Sequence, residues 1–535
     1  MKRLVSGLLA FMMLCGALTG CGSKEDDVSM EGGRLNIGIP QNSAISDYDN
    51  NKFTEYLEKS TGVKIKFTYF SATASEYKQQ LALMASSGED LPDIFLGFKA
   101  LGTRLITAYG EDGYFLDLTD LIDKYADTYK EKYEALSDKE KELIALKCKS
   151  MESDAIYAMP EVSEVLIDHI QSLMFINQTW LDAVGMKAPT NLDELYAVLQ
   201  AFKTQDPNGN GAADEIPMLG KSSVINYLMN AFIYFEEAHP YNVENGKVYA
   251  PFTTDEYREG LKYMNKLVKE GLFSDLSFTV TSNTEIKNMY TPSTGLAKVG
   301  IVCGHPSLRM DTLNDVMDQY VALGALEDTT GKGGYMVVSD DVVKPAAYIT
   351  SYCENPEMAM KFIDFLYEDE TITRSRKGEK DVDWEYGEMG IDTYGNEVNT
   401  YTINSQAFFE GAQTWGFVPC GILRAIAYNS VAAEGNVAGQ RVSKILKGSN
   451  DLRFTSKIKE DTVRNLAYTV EEDDVNEQYT SSINEYLTSK RDEFIIGTKD
   501  PSNDADWKAY LSEFDGMKLD EIVKIKQDAY DRANK

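Results

Sequence analysis

The sequence predicts an α/β protein of two lobes, and three observations carry that expectation. Short strand-type runs alternate with helix-type periodicity through residues 34–96. A chain of 535 residues is long enough for two lobes, each with a core of its own. Beyond Leu18 no stretch approaches the roughly 20 apolar residues that a membrane-spanning helix needs.

Taken in order, Arg34–Pro40 alternates apolar and polar residues and ends in a turn, as a first strand does. A polar loop follows over 41–51, and residues 53–62 then carry a helix pattern that Gly62 stops. Residues 63–70 alternate again. Residues 77–87 are helical, with Leu81, Leu83 and Met84 among the apolar positions, and residues 91–96 form a third strand. This order belongs to a largely parallel sheet, in which ligands sit beyond the carboxyl ends of the strands. Those ends fall at Gln41-Asn42, Ser71-Ala72 and Gly97-Phe98.

At the N-terminus, Lys2 and Arg3 precede an apolar run that ends in Leu18-Thr19-Gly20-Cys21. Positive charge, apolar run and small residues before a cysteine make residues 1–20 a lipoprotein signal peptide. The thiol of Cys21 is then the atom that receives diacylglycerol, and the mature chain carries acyl groups such as palmitate. Residues 21–33 are too polar to fold and read as a lipidated flexible tether, which places the protein on the extracytoplasmic face of the cell membrane. Acidic residues outnumber basic ones by 85 to 53, a net charge of −32 that disfavours nucleic acid as a partner. Cys148, Cys303, Cys353 and Cys420 lie far apart without CxxC spacing, so thiolate metal binding is unsupported and free buried thiols are expected.

A family resemblance rests on Met159-Pro160-Glu161, on Met174-Phe175-Ile176-Asn177-Gln178-Thr179-Trp180-Leu181 and on Ala188-Pro189-Thr190-Asn191-Leu192-Asp193-Glu194-Leu195. These segments resemble the extracellular solute-binding proteins of family 1. Asn191 with Glu194 three residues on is close to a capping box. Later segments agree in order: 297–301 resembles the strand that returns to the first lobe, Asn355-Pro356-Glu357 resembles a second-lobe helix start, and 378–386 resembles an element of the long members, with Asp381 at its second glycine. The resemblance implies a two-lobed periplasmic-binding-protein-like fold with hinge crossovers near Met159-Pro160, Val299-Gly300 and Asp340. Lobe 1 is then 34–159 with 300–340, and lobe 2 is 160–299 with 341–535, including a long helical C-terminal extension.

The sharpest chemical motif is Asp206-Pro207-Asn208-Gly209-Asn210-Gly211-Ala212-Ala213-Asp214-Glu215. Oxygen-bearing side chains at 206, 208 and 210, a glycine at 211 and carboxylates at 214 and 215 suit a hard cation such as calcium. Pro217 stands where an EF-hand loop has its bidentate glutamate, so Glu215 has to supply that contact. The long family members, alginate-binding ones included, carry a matching loop with calcium, and that resemblance adds the backbone carbonyl of Ala212. An Asx- and Gly-rich turn without metal is the alternative.

Catalytic motifs are lacking. None of His169, His239 and His305 lies in an HExxH, local Cys-His or G-x-S-x-G setting, and Gly331-Lys332-Gly333-Gly334 lacks P-loop spacing and suits a hairpin turn. Sugars present hydroxyls to planar polar groups and C–H faces to aromatic rings. The expected ligand-binding residues are Gln41 and Asn42 after the first strand, Phe98 after the third, Glu161 at the crossing, Trp384, and Trp415, whose neighbour Gly416 permits close backbone approach. Trp180 belongs to the core. The resemblance implies a monomeric, non-enzymatic receptor that captures a carbohydrate, of oligosaccharide size, between its lobes and delivers it to the permease subunits of an ABC importer. A secreted glycan-active enzyme and a peptide-binding or sensory lipoprotein are the alternatives.

Overall fold

The computed structural model describes residues 33–534 apart from 43, 44, 46, 164–169, 221, 281, 340, 341, 392–396, 405–412, 418, 424–429 and 433–435. The signal peptide, Cys21, the tether as far as residue 32, His169 and Asp340 lie outside the described residues. In chain order the first strands are β1 (Arg34–Pro40), β2 (Lys64–Phe70), β3 (Ile94–Leu96), β4 (Met159–Ser163), β5 (Met174–Asn177), β6 (Ile216–Met218), β7 (Asn242–Glu244) and β8 (Lys247–Tyr249). They continue as β9 (Val299–Cys303), β10 (Tyr320–Ala322), β11 (Val343–Ile349), β12 (Trp384–Ile391), β13 (Glu397–Ile403), β14 (Gly421–Leu423) and β15 (Ser430–Ala432).

The first lobe is a six-stranded sheet in the order β14-β4-β11-β3-β1-β2. β1 lies parallel to β2 and β3, β11 runs antiparallel between β3 and β4, and β14 runs parallel to β4. The carboxyl ends of β1, β3, β4 and β14 and the amino end of β11 therefore share one edge. Helix Lys52–Thr61 begins where the Asn51 side chain accepts a hydrogen bond from the Phe53 amide at 3.0 Å, and it ends at Gly62, whose φ of 71° suits glycine. It buries Phe53 and Leu57 in a core shared with Ile37, Phe95, Tyr348 and Trp415.

The second lobe is a four-stranded sheet in the order β10-β5-β9-β6. Its core takes in the C-terminal helices Val437–Thr455, Val470–Ile496, Asp504–Gly516 and Leu519–Ala533 through Ile445, Ile483, Phe494, Trp507, Phe514 and Ile522. Helix Val470–Ile496 packs on helix Asp255–Lys269, where the Asn265 side-chain amide donates to the Phe494 carbonyl at 2.9 Å, and Arg258 Nε donates to the Pro501 carbonyl just beyond it at 2.7 Å. The extension is thus an integral part of this lobe's core rather than an appendage. A third sheet, β12-β13-β15, closes around Trp384, Tyr401 and Leu423.

Two expectations about lobe membership are corrected. β9 pairs with β5, Met174 opposite Cys303, so 299–303 and β10 belong to the second lobe and Val299-Gly300 is no crossover. Gly300 serves packing instead: a Cβ there would lie 2.3 Å from the Phe202 ring and 2.8 Å from the Pro217 carbonyl oxygen. β11 and helix Pro356–Phe365 belong to the first lobe, where Met358, Ala359, Phe362 and Ile363 join its core. The chain changes lobes between Ser163 and Met174, between Ala322 and Val343, and after Leu423.

Within the second lobe Lys526 is buried, its ammonium donating to Asn476 Oδ1 at 3.1 Å and facing the Tyr241 ring at 4.7 Å. Desolvation pulls its pKa down to about 8 from 10.5, against a weaker opposing pull from Asp473. The unfolded chain therefore holds this proton more tightly. The resulting cost, on the order of 3 kcal/mol, is present below pH 8 and disappears as pH rises through 10.5. Lys526→Met is expected to raise the melting temperature at pH 7, with the gain shrinking toward pH 10.5. A gain independent of pH would assign the effect to packing alone.

Candidate functional site

The shared strand edge of the first lobe faces the second lobe across a cavity of about 400 Å³. Lys99 after β3, Glu161 and Ser163 of β4, Lys344 of β11, Leu423 of β14 and the segment Gly416-Phe417 line one side. Gln171, Glu236 and His239 line the other. Glu161 is only 9% exposed and is ion-paired with Lys99, whose ammonium lies 5.5 Å from the centre of the Phe417 ring. Phe417 can sit there because Gly97, at φ 81°, has no side chain: a Cβ would come within 2.6 Å of the ring. Aromatic face, carboxylate and ammonium thus meet on one wall.

The facing wall is rigid. Glu236 and Arg464 form an ion pair whose side chains are 2% and 3% exposed, and Arg464 also donates to the Val338 carbonyl at 3.0 Å and to the Tyr234 hydroxyl. Next to it, Glu237 pairs at 2.7 Å with Arg491, which is fully buried. Both arginines come from the C-terminal extension. The glycine-rich 331–334 segment is a turn rather than a hairpin between strands, its amides at Gly331 and Gly333 each donating to Asp328 Oδ1 at 2.9 Å.

Of the expected ligand contacts, the structure brings Glu161 into this cavity. Gln41 and Asn42 line an adjoining depression of about 630 Å³ with Tyr48, Tyr69, Ser71 and Gln80 at the ends of β1 and β2. Asn42 abuts Gly416, where the two spaces meet. Phe98, Trp384 and Trp415 are corrected: each is 0% exposed and offers no ring face to a ligand. Phe98 packs edge-on against Phe70, Tyr77 and Phe95. Trp384 donates to the Gly378 carbonyl at 3.0 Å, and Trp415 donates to Thr54 Oγ1 at 2.9 Å beneath Phe53 and Phe67. The missed residues include Lys99, Gln171, Glu236, Lys344, Arg376 and Phe417. The signal for Phe417 was parity, since in an extended segment a core residue at 415 turns 417 the same way only if the chain does not bend, and Gly416, at φ 71°, bends it. Trp180 is buried, as expected. A smaller groove of about 270 Å³ is lined by Lys52, Tyr56, Arg374, Glu379 and Gln413.

The 206–215 loop follows helix Leu192–Thr204, whose start is capped by Asn191, which accepts from the Glu194 amide at 2.9 Å. It is exposed and away from the cavity. Asp206, at φ 47°, accepts from the Asn210 and Gly211 amides at 3.1 and 3.0 Å, and Asn210 bridges to Asp214 at 2.9 Å. Among the described residues no three carboxylates, imidazoles or thiols form a metal-holding group, so a cation here would need the Asn208, Asn210 and Ala212 oxygens as well. The chemistry fits a hard cation: Glu215 Oε1 is buried without a hydrogen-bond partner, and desolvation with the nearby Asp206 and Asp214 charges pushes its carboxyl up. Cys148, Cys303, Cys353 and Cys420 are free and buried, and burial raises the Cys148 thiol to about 12.

Two known proteins and one solved structure are informative. The fructooligosaccharide ABC transporter substrate-binding protein FusA of Streptococcus pneumoniae is 27% identical over 560 residues, covering 99% of this chain and 98% of FusA. Lipoprotein LipO of Bacillus subtilis is 28% identical over 404 residues, 72% of this chain and 74% of LipO. The structure of an S. pneumoniae FusA EF-hand mutant in complex with fructo-nystose superposes with a TM-score of 0.72 at 25% identity, over 94% of this chain and all of that one. The family model for bacterial extracellular solute-binding proteins matches residues 42–372, more than half of the chain. With two lobes flanking a polar cavity and this match, the chain belongs to the bacterial extracellular solute-binding protein family.

Proposed function

We propose that this protein is the lipid-anchored substrate-binding component of an ABC importer, capturing an oligosaccharide between its lobes without cleaving it. The observation that carries the reading is the cavity lined from both lobes: a ligand there gains contacts that exist only when the lobes are together, so binding shifts the population toward closure. FusA, similar over nearly the full length of both chains, is a fructooligosaccharide-binding protein, which supports the ligand class. Phe417 supplies an apolar face, Glu161, Gln171, Glu236 and His239 supply polar groups, and Gln41 and Asn42 extend the site for longer chains. Small-angle scattering should show compaction with a bound oligosaccharide, recovered intact after prolonged incubation. Catalytic cleavage of that sugar would sink the receptor reading.

The anchor is Cys21, and Cys21→Ser should release the protein into the medium or leave it unprocessed. Processed mutant that still fractionates with membranes would reject a lipid anchor at this residue.

Calcium would be held by Asp206, Asn208, Asn210, the Ala212 carbonyl, Asp214 and Glu215, where it would neutralise crowded carboxylates and fix the loop. Calcium at about a hundred times its Kd should add about 2.7 kcal/mol of stability. Asp214→Ala should abolish that gain while solute binding persists. An unchanged melting curve with chelator would identify a bare Asx turn.

A further inference from the structure

Away from the crossovers, a side chain of the first lobe reaches the second. Arg104 stands in the first turn of helix Thr103–Glu111, whose Ile106 lies in the first lobe's core. Its guanidinium meets two carboxylates of helix Val470–Ile496, Nη2 with Asp474 Oδ1 at 2.5 Å and Nη1 with Glu477 Oε2 at 3.2 Å. That helix is fixed in the second lobe's core by Ile483, Leu487 and Phe494. Neither helix belongs to a crossover, so a hinge motion moves Arg104 relative to its carboxylates. Arg104 also follows Lys99, a residue of the cavity wall, by five positions, which ties the contact to the loop that carries that wall.

Each partner is poorly balanced within its own lobe. Helix Thr103–Glu111 starts at Gly102 without a side-chain cap and has no acidic residue in its first turn, so Arg104 sits at the positive end of a helix dipole. On the other side Asp473, Asp474 and Glu477 stand close together on one helix. Burial and the neighbouring Glu477 push the Asp473 carboxyl up, and Arg104 opposes that rise. Bringing the lobes together improves both balances at once. An exposed ion pair within one rigid body contributes little. Between two bodies whose separation is itself an equilibrium, the same small free energy changes the populations directly.

We propose that Arg104 is a positioning residue for solute capture: with Asp474 and Glu477 it forms an electrostatic clasp that holds the ligand-free protein partly closed and raises affinity without touching the ligand. This rests on the reading of the protein as a receptor that closes on its solute. Apparent affinity scales with the fraction of protein already in the binding-competent arrangement, so the clasp acts through closure on every solute alike.

The first test needs no solute. In small-angle scattering of the intact mature protein, the wild type should expand as salt rises from about 20 mM to about 500 mM, whereas Arg104→Met is expanded at both. Arg104→Glu should expand it further, and adding Asp474→Arg with Glu477→Arg should restore compactness, a rescue that a merely structural role for Arg104 would not give. Calorimetric titration with a panel of neutral oligosaccharides, kestose among them, is the second readout. A neutral sugar brings no charge, so any salt dependence of its binding is the protein's own. Affinity should fall about threefold in Arg104→Met at low salt and converge with that of the wild type at high salt. Equal compactness of the wild type and Arg104→Met at low salt overturns the clasp, and equal affinity there overturns its role in capture. If no member of the panel binds the wild type, the receptor reading falls and the role in capture with it, while scattering still decides the clasp.

Discussion

Arg464→Met is expected to cost the protein about 3–5 kcal/mol, because it strands Glu236 as a buried charge without its counter-ion. The side chain also holds the Val338 carbonyl and the Tyr234 hydroxyl, so the loss spreads along the strap between β10 and β11. In a calorimetric scan the second-lobe transition should fall by on the order of 10 °C while the first-lobe transition moves little. Pairing Arg464→Met with Glu236→Leu removes both charges together and should restore much of the loss, since apolar replacement of a whole buried pair is often neutral. A single variant that melts like the wild type would mean that water reaches Glu236 and that the cavity wall is far less dry than its burial indicates.

Trp415→Ala and Phe417→Ala, only two residues apart, should separate stability from affinity. Trp415 is wholly buried between Tyr48, Phe53 and Phe67 and its indole N–H is satisfied by Thr54, so truncation leaves a large cavity at a cost of about 3–5 kcal/mol to the first lobe. Phe417 is half-buried over Gly97 on the cavity wall. Its truncation should change stability by less than about 1 kcal/mol, yet weaken ligand affinity about tenfold, equivalent to 1.4 kcal/mol. Equilibrium denaturation and ligand titration on the two variants read the two effects independently. The reverse pattern, an affinity loss at 415 with none at 417, would put the ring that contacts ligand on the wrong side of Gly416.

Much of the first lobe was legible because its strands alternate and its first helix carries a local stop signal at Gly62, just as Asn191 marks a helix start in the second lobe. The strand edge that forms the cavity was legible for the same reason: parallel strand order fixes where the carboxyl ends meet. Lobe membership of β9 and of helix Pro356–Phe365 was not. Val299-Gly300-Ile301-Val302-Cys303 is buried at every position, so its pattern reads alike in the centre of either sheet, and only pairing with β5 decides. The three aromatic residues assigned to ligand failed on a related ground, because composition near a glycine shows that a ring matters without showing which side of the backbone it faces. Lys99 carried no local signal, since its role depends on Glu161 sixty-two residues away.

The interleaving of the chain between its lobes also has a kinetic side. The first lobe's sheet cannot close until β14 at 421–423 arrives, and the second lobe's core awaits Ile522 and its neighbours in the last helix. Contacts of such long sequence separation form slowly, because loop-closure entropy is lost before they form. A chain emerging N-terminus first therefore keeps part of the apolar face of helix Asp255–Lys269 bare until helix Val470–Ile496 has appeared. Any truncation between Gly497 and Asp504 would strip the second lobe of its last two helices, leaving Phe252 without Phe514 and a bare surface suited to aggregation rather than to a smaller receptor.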